Sequence, residues 1–274
     1  MRPRLVLSAL ATGAAAAAAL PLVLASPASA AEQATVSVFH GVPGLTVDVY
    51  ANGKEIVPNF EPGTLTDPLK LPAGTYDLAV FKDGEGPSGT PAIQAADVKV
   101  PAGANVTVAA HLDAAGKPVL TPFVNDTGTV PAGKARLTVR HTAAAPAVDV
   151  RAGGTPVFKD LENPGEQSAE VAAGTVSADV VLAGTSTVAI GPADLNLDEG
   201  TNTIVYAWGS AADKNLALKV QTISGLHSAP GGIPAGQAGL ADDGAPWWLF
   251  AVVAAAVTGA AAAGTRLVRA RARD

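Results

Sequence analysis

A duplicated segment is the feature that most restricts the fold of this chain. Val36-Ser37-Val38-Phe39-His40, followed by Val47-Asp48-Val49, recurs as Leu137-Thr138-Val139-Arg140-His141, followed by Val148-Asp149-Val150, with the same internal spacing. Later segments repeat in the same order. Each copy spans about ninety residues, a size at which a domain can hold its own hydrophobic core. The repeat predicts two domains of one fold, at residues 34–126 and 135–226, joined by a short linker at 127–134.

Apolar residues alternate along each copy, as in Val47-Asp48-Val49, which is the period of a strand with one face buried. Asn52-Gly53 and Gly153-Gly154 stand between such runs and favour type I′ hairpin turns, because both central positions of that turn need positive φ. The pattern predicts an all-β chain of two tandem immunoglobulin-like antiparallel β-sandwich domains, each of about seven short strands. With so short a linker, we expect the two sandwiches to form a rod.

The first thirty residues have the pattern of a signal peptide, because Arg2 and Arg4 precede a long apolar run. Small residues at Ala28-Ser29-Ala30 predict cleavage between Ala30 and Ala31, which makes residues 1–30 a signal peptide. The alternative is an N-terminal membrane anchor that is never cut.

The C-terminal end predicts a membrane span. Residues 247–265 are uncharged and number about the twenty that a transmembrane helix needs, with Trp247 and Trp248 at one end. A basic tail at residues 266–274 carries Arg266, Arg269, Arg271 and Arg273, which by the positive-inside rule stays in the cytoplasm. Residues 227–246, rich in Gly, Ala and Pro, are expected to be a disordered stalk. The alternative for residues 247–265 is a buried helix of a soluble domain.

A degenerate sorting motif precedes the predicted span. Leu240, Ala241, Asp243 and Gly244 resemble a sortase signal of the Leu-Ala-x-Thr-Gly type, with Asp243 in place of the threonine after which sortases cut. Two outcomes stay open: a retained membrane helix, which is preferred, and covalent attachment to the cell wall. Both predict a cell-surface protein whose N-terminal part is extracellular and whose first partner is the cytoplasmic membrane.

Charge and cysteine content exclude several classes of function. Removing the two ends leaves 12 basic and 23 acidic residues over 31–246, a net charge of −11, whereas the whole chain has 18 and 24. Such an acidic exterior repels phosphate backbones, so nucleic acid is not expected as a partner. The chain has no cysteine, which excludes disulfides and thiolate chemistry.

The repeated His and Asp positions are the only candidates for chemistry shared by both copies. His40 and Asp48, and likewise His141 and Asp149, stand eight residues apart and are consistent with a metal or acid/base site, or with histidines that hydrogen-bond a turn. Because two ligands do not complete a metal site, we favour the second interpretation and expect no catalytic, cofactor or metal residues. The predicted function is structural, adhesive or ligand-binding, toward an unknown cell-wall or protein ligand. The alternative is a cell-surface enzyme or metal-dependent accessory domain that uses these two pairs.

Three motifs of the first copy carry a family resemblance. Val38-x-His40, Val47-Asp48-Val49-Tyr50-x-x-Gly53 and Leu71-Pro72-Ala73-Gly74-Thr75-Tyr76 resemble the domain of unknown function 4397 family. The second copy follows the same pattern with Arg151 for the tyrosine and Val171-Ala172 for the Leu-Pro pair. The resemblance implies a β-sandwich in an extracellular setting and no assigned biochemical activity.

Overall fold

A computed structural model describes residues 32–228, which form sixteen β-strands and a short 3-10 helix at Gly86–Ser88. The first copy holds β1 (Gln33–Gly41), β2 (Val47–Ala51), β3 (Lys54–Phe60), β4 (Leu69–Pro72), β5 (Gly74–Lys82), β6 (Ile93–Val100), β7 (Asn105–Leu112) and β8 (Pro118–Val124). The second copy holds β9 (Lys134–Ala144), β10 (Val148–Ala152), β11 (Thr155–Leu161), β12 (Glu166–Ala172), β13 (Gly174–Leu182), β14 (Val188–Leu197), β15 (Asn202–Ser210) and β16 (Ala217–Ile223). The all-β prediction is confirmed, with eight strands in each copy rather than seven.

Both copies arrange their strands into two four-stranded sheets in the same order. We name β4-β1-β7-β8 and β12-β9-β15-β16 the facing sheets, and β3-β2-β5-β6 and β11-β10-β13-β14 the outer sheets. Apolar side chains from the two sheets of a copy meet in its core: Val106 of β7 and Val100 of β6 belong to one cluster, and Val205 of β15 and Val180 of β13 to another. Each copy is therefore a sandwich with a core of its own.

One strand pair in each copy departs from the predicted antiparallel pairing. β1 runs parallel to β7, and β9 runs parallel to β15, whereas the other neighbours in all four sheets are antiparallel. The expectation of purely antiparallel sheets is therefore wrong at the centre of each facing sheet. Parallel neighbours need a long crossover, and here the outer sheet supplies it, because β2, β3 and β5 lie between β1 and β7 in the chain.

The two predicted hairpin turns have the expected backbone. Asn52 and Gly53 have φ of 50° and 75°, and Gly153 and Gly154 have φ of 57° and 79°. These pairs join β2 to β3 and β10 to β11, and each turn starts a tight antiparallel ladder. Since a type I′ turn places both central residues at positive φ, the type I′ prediction is confirmed at both sites.

The two copies pack through their facing sheets, so the predicted rod is wrong. Phe39 of β1 lies against Tyr206 of β15, with ring centroids 4.7 Å apart, and the Arg140 guanidinium of β9 lies 4.4 Å from the ring centroid of Phe123 on β8. We name this contact the inter-copy interface. The central strands β1, β7, β9 and β15 are consequently buried on both faces, where the sequence pattern predicted one.

Several sequence predictions fall outside the described residues. They are the signal peptide at 1–30 with its cleavage between Ala30 and Ala31, most of the stalk at 227–246 with the sorting motif, and the span at 247–265 with its basic tail. Among residues 32–228, no helix has the length and apolar character needed to cross a bilayer.

Candidate functional site

The two repeated histidines lie at the ends of equivalent strands and hold equivalent loops. His40 Nε2 lies 2.8 Å from the carbonyl oxygen of Leu45, and His141 Nε2 lies 2.9 Å from that of Pro146. The Nδ1 atom of His40 accepts a hydrogen bond from the backbone N–H of Val42 at 3.4 Å. With its proton on Nε2, each ring therefore donates to one side of its loop and accepts from the other.

Burial determines the charge state of these rings. Removal from water lowers the pKa of His40 and of His141, and the hydrogen bond that each donates to a carbonyl opposes this only in part. The lowered pKa favours the neutral ring, and in each copy its Nδ1 lone pair accepts a backbone N–H. This arrangement braces the loop between the first two strands of each copy.

The repeated aspartates act on other loops. Asp48 accepts hydrogen bonds from the N–H groups of Asn59 at 2.9 Å and Gly84 at 3.0 Å. Asp149 accepts equivalent bonds from Asp160 at 2.9 Å and Gly184 at 3.1 Å, and these lower its pKa. Each carboxylate thus joins a bulge in the third strand of its copy to the turn after the fifth.

The His and Asp of a copy do not form a shared site. His40 points into the sandwich, where its ring lies 5.5 Å from that of Phe60. Val47 and Val49 point into the same core, so Asp48 between them points out of the other side of the outer sheet. Among the described residues, no group of three or more His, Cys, Asp and Glu side chains is placed to hold a metal ion.

A third buried histidine, which the sequence pattern did not single out, lies on β7. The Nδ1 atom of His111 lies 2.9 Å from the carbonyl oxygen of Leu112, and its Nε2 atom lies 2.8 Å from Thr121 Oγ1. Burial lowers the pKa of His111. The only signal in the sequence is a histidine in a mostly apolar segment, Val106-Thr107-Val108-Ala109-Ala110-His111.

A groove of about 460 Å³ runs between the copies. One wall runs from Lys219 in β16 to Ser224 just after it, and the other is the segment 65–68 of the first copy with Ser37 and Asn105. Within residues 32–228, β16 pairs only with β15, so its other edge presents backbone N–H and C=O groups that no described strand uses. The groove combines hydroxyls, a carboxylate at Asp67 and an ammonium at Lys219, which suits polar or extended ligands.

The inter-copy interface carries a buried polar network that sequence reasoning missed. Arg140 Nε donates to Glu166 at 2.8 Å, and its Nη1 donates to the Tyr206 hydroxyl at 2.7 Å. The Tyr206 hydroxyl in turn donates to Gln221 Oε1 at 2.7 Å, and Thr107 of the first copy donates to the same oxygen at 3.0 Å. The signal in the sequence was Ile204-Val205-Tyr206-Ala207-Trp208, a continuous apolar run typical of a strand buried on both faces.

Trp208 is part of this packing rather than an exposed platform for a sugar. Its ring meets that of Phe39 edge to face, with centroids 6.2 Å apart, and the side chain is half-buried. It also lies so close to Gly63 that a Cβ there would come within 2.8 Å of the indole.

The architecture defines the class as a protein of two fused all-β sandwich modules whose repeated polar residues brace loops. The family model described as a domain of unknown function (DUF4397) matches residues 34–151, and this match confirms the resemblance. The match covers the whole first copy and extends through β9 into β10. None of the curated proteins compared with the chain matches it.

Proposed function

We propose that this chain is a non-catalytic binding or structural protein of the cell surface, made of two immunoglobulin-like modules. The observation that carries the proposal is the use of the repeated polar residues. Each of these side chains hydrogen-bonds backbone groups of its own copy: His40, Asp48, His141 and Asp149. Hydrogen bonds that hold loops in place favour a rigid binding scaffold. They are not evidence for an active site.

The groove between the copies is the surface we propose for the ligand, a cell-wall component or a protein. It is bordered by parts of both copies, so it exists only because the two sandwiches pack together. The unused edge of β16 can add an extended segment of a ligand as a further strand, and the hydroxyls along the groove can bind polar groups.

Binding to surface material tests this function. Thr222 lines the groove and is exposed, so Thr222→Arg should reduce binding of the purified chain to isolated cell envelopes at least about tenfold while leaving its unfolding temperature unchanged. Thr175→Arg is the matched control, because Thr175 is an exposed strand threonine of the second copy's outer sheet. If both variants bind equally well, the groove is not the surface that binds the ligand.

The proposed location has a separate test. We propose export by a signal peptide, with residues 247–265 retained as a membrane helix and the sandwiches outside. Cell fractionation and the mass of the mature protein would report cleavage after Ala30 and a C-terminus at Asp274. A mature chain ending at Asp243 would instead indicate covalent attachment, and recovery of the uncut chain from the cytosol would contradict export.

A further inference from the structure

The inter-copy interface is built from equivalent positions of the two copies. In the facing sheet of the first copy, Phe39 pairs with Ala109 and Thr107 pairs with Phe123. In the second copy, Arg140 pairs with Tyr206 and Ile204 pairs with Gln221. Because His40 corresponds to His141 in the repeat, Phe39 corresponds to Arg140, Ala109 to Tyr206, Thr107 to Ile204 and Phe123 to Gln221. All eight side chains are buried.

These equivalent positions carry residues of opposite character. Where one copy has Phe39 and Phe123, the other has Arg140 and Gln221, and the small Ala109 corresponds to the large Tyr206. The observed contacts join unlike members: Phe39 lies against Tyr206, Phe123 against Arg140, and Thr107 donates to Gln221.

We propose that this face is a recognition surface specific for the unlike copy, and that the two sandwiches pair through it without needing the linker. Suppose that another first copy replaced the second copy. Ala109 would then stand in the place of Tyr206, which fills the space beside Phe39. Phe123 would stand in the place of Gln221, which accepts a hydrogen bond from Thr107. That pairing loses the contact between Phe39 and Tyr206 and a buried hydrogen bond, and it sets Phe39 in place of Arg140 against Phe123.

Pairing of two second copies fails for a different reason. Gln221 would take the place of Phe123 beside the guanidinium of Arg140, and Ile204 would take the place of Thr107 beside the amide of Gln221. A buried guanidinium would lose its aromatic neighbour, and a buried amide would lose one of its two donors. The partner that fits each face is therefore the unlike copy, of the same chain or of a second chain.

Cutting the linker tests the proposal on the full chain. A protease site inserted between Gly128 and Thr129 allows cleavage after folding, and native mass spectrometry then reports what stays associated. We expect a one-to-one complex of unlike halves that persists on dilution. Separated halves, or complexes of like halves, would overturn the proposal.

A variant at the interface supplies the second readout. Phe123→Arg places a second cation against Arg140 and should weaken association of the cleaved halves at least about tenfold. Val124→Arg is the control, since Val124 is the next residue of the same strand and is 58% exposed. Gln221→Leu, which removes the acceptor of Thr107, should also weaken association and does not add charge. If Phe123→Arg and Gln221→Leu both associate as tightly as the control, the two copies do not recognise each other through this face.

Discussion

Three histidine side chains are buried inside the described part of the molecule. Each ring lies in a copy's interior or near the inter-copy interface and hydrogen-bonds its surroundings through both nitrogens. Burial lowers the pKa of His40, His111 and His141, because desolvation penalises the charged ring. These residues therefore couple the stability of the fold to pH.

The sign of that coupling gives a prediction. The folded pKa of His40 lies below its ordinary value of 6.5, so the unfolded chain binds more protons in the window below that pH. Stability is full above pH 6.5 and falls as the pH drops toward the folded pKa. We expect the urea midpoint of the wild type to decrease when the pH is lowered from 7.5 to 5.5. The decrease should be smaller in His40→Gln.

The same variant should also be less stable at neutral pH, by about 1–3 kcal/mol, since it disturbs a buried hydrogen bond. His227→Gln is the control for both effects, because His227 is exposed. If the urea midpoint of His40→Gln depends on pH as strongly as that of the wild type, the His40 ring does not take up a proton on unfolding.

At the level of strands and turns, the sequence predicts the turn types, but it does not predict which distant strands pair. Asn52-Gly53 predicted its turn correctly because the φ requirement of a type I′ turn is met by residue type alone. The parallel pairing of β1 with β7 depends on where the crossover through β2, β3 and β5 returns, which no period-two pattern encodes. The contacts of Phe39 and Arg140 with the other copy are likewise long-range, and the period of a single strand does not predict them.

The hairpin turn itself can be tested by a matched pair of glycines. Gly53 has φ of 75° and a Cβ there would meet nothing within 4 Å, so Gly53→Ala tests backbone strain alone. We expect it to lower the free energy of unfolding by about 1–2 kcal/mol. At Gly74 a Cβ also meets nothing within 4 Å, and its φ lies outside the left-handed region, so Gly74→Ala should cost less than half as much. Equal losses in urea titrations of the two variants would contradict the type I′ explanation.

At the scale of the whole molecule, the inter-copy interface makes the two sandwiches one mechanical unit. Each copy has a core of its own, and a further cluster of Phe39, Ala109, Phe123, Ile204 and Tyr206 joins them. Arg136 of the second copy adds an ion pair at 3.1 Å to Asp126, beside the linker. The strength of this coupling decides whether the groove along β16 keeps a fixed shape, because its two walls belong to different copies.

Calorimetry measures that coupling. We expect a single cooperative transition for the wild type, with equal calorimetric and van't Hoff enthalpies, because neither copy can unfold without exposing the apolar face of the other. Phe39→Ala removes a fully buried ring from the inter-copy cluster and should split the unfolding into two transitions. Val80→Ala, also fully buried but within the first copy's own core, should lower the midpoint while keeping one transition. Two transitions in the wild type would mean that the copies unfold independently. A single transition in Phe39→Ala would mean that the Phe39 ring is not what couples them.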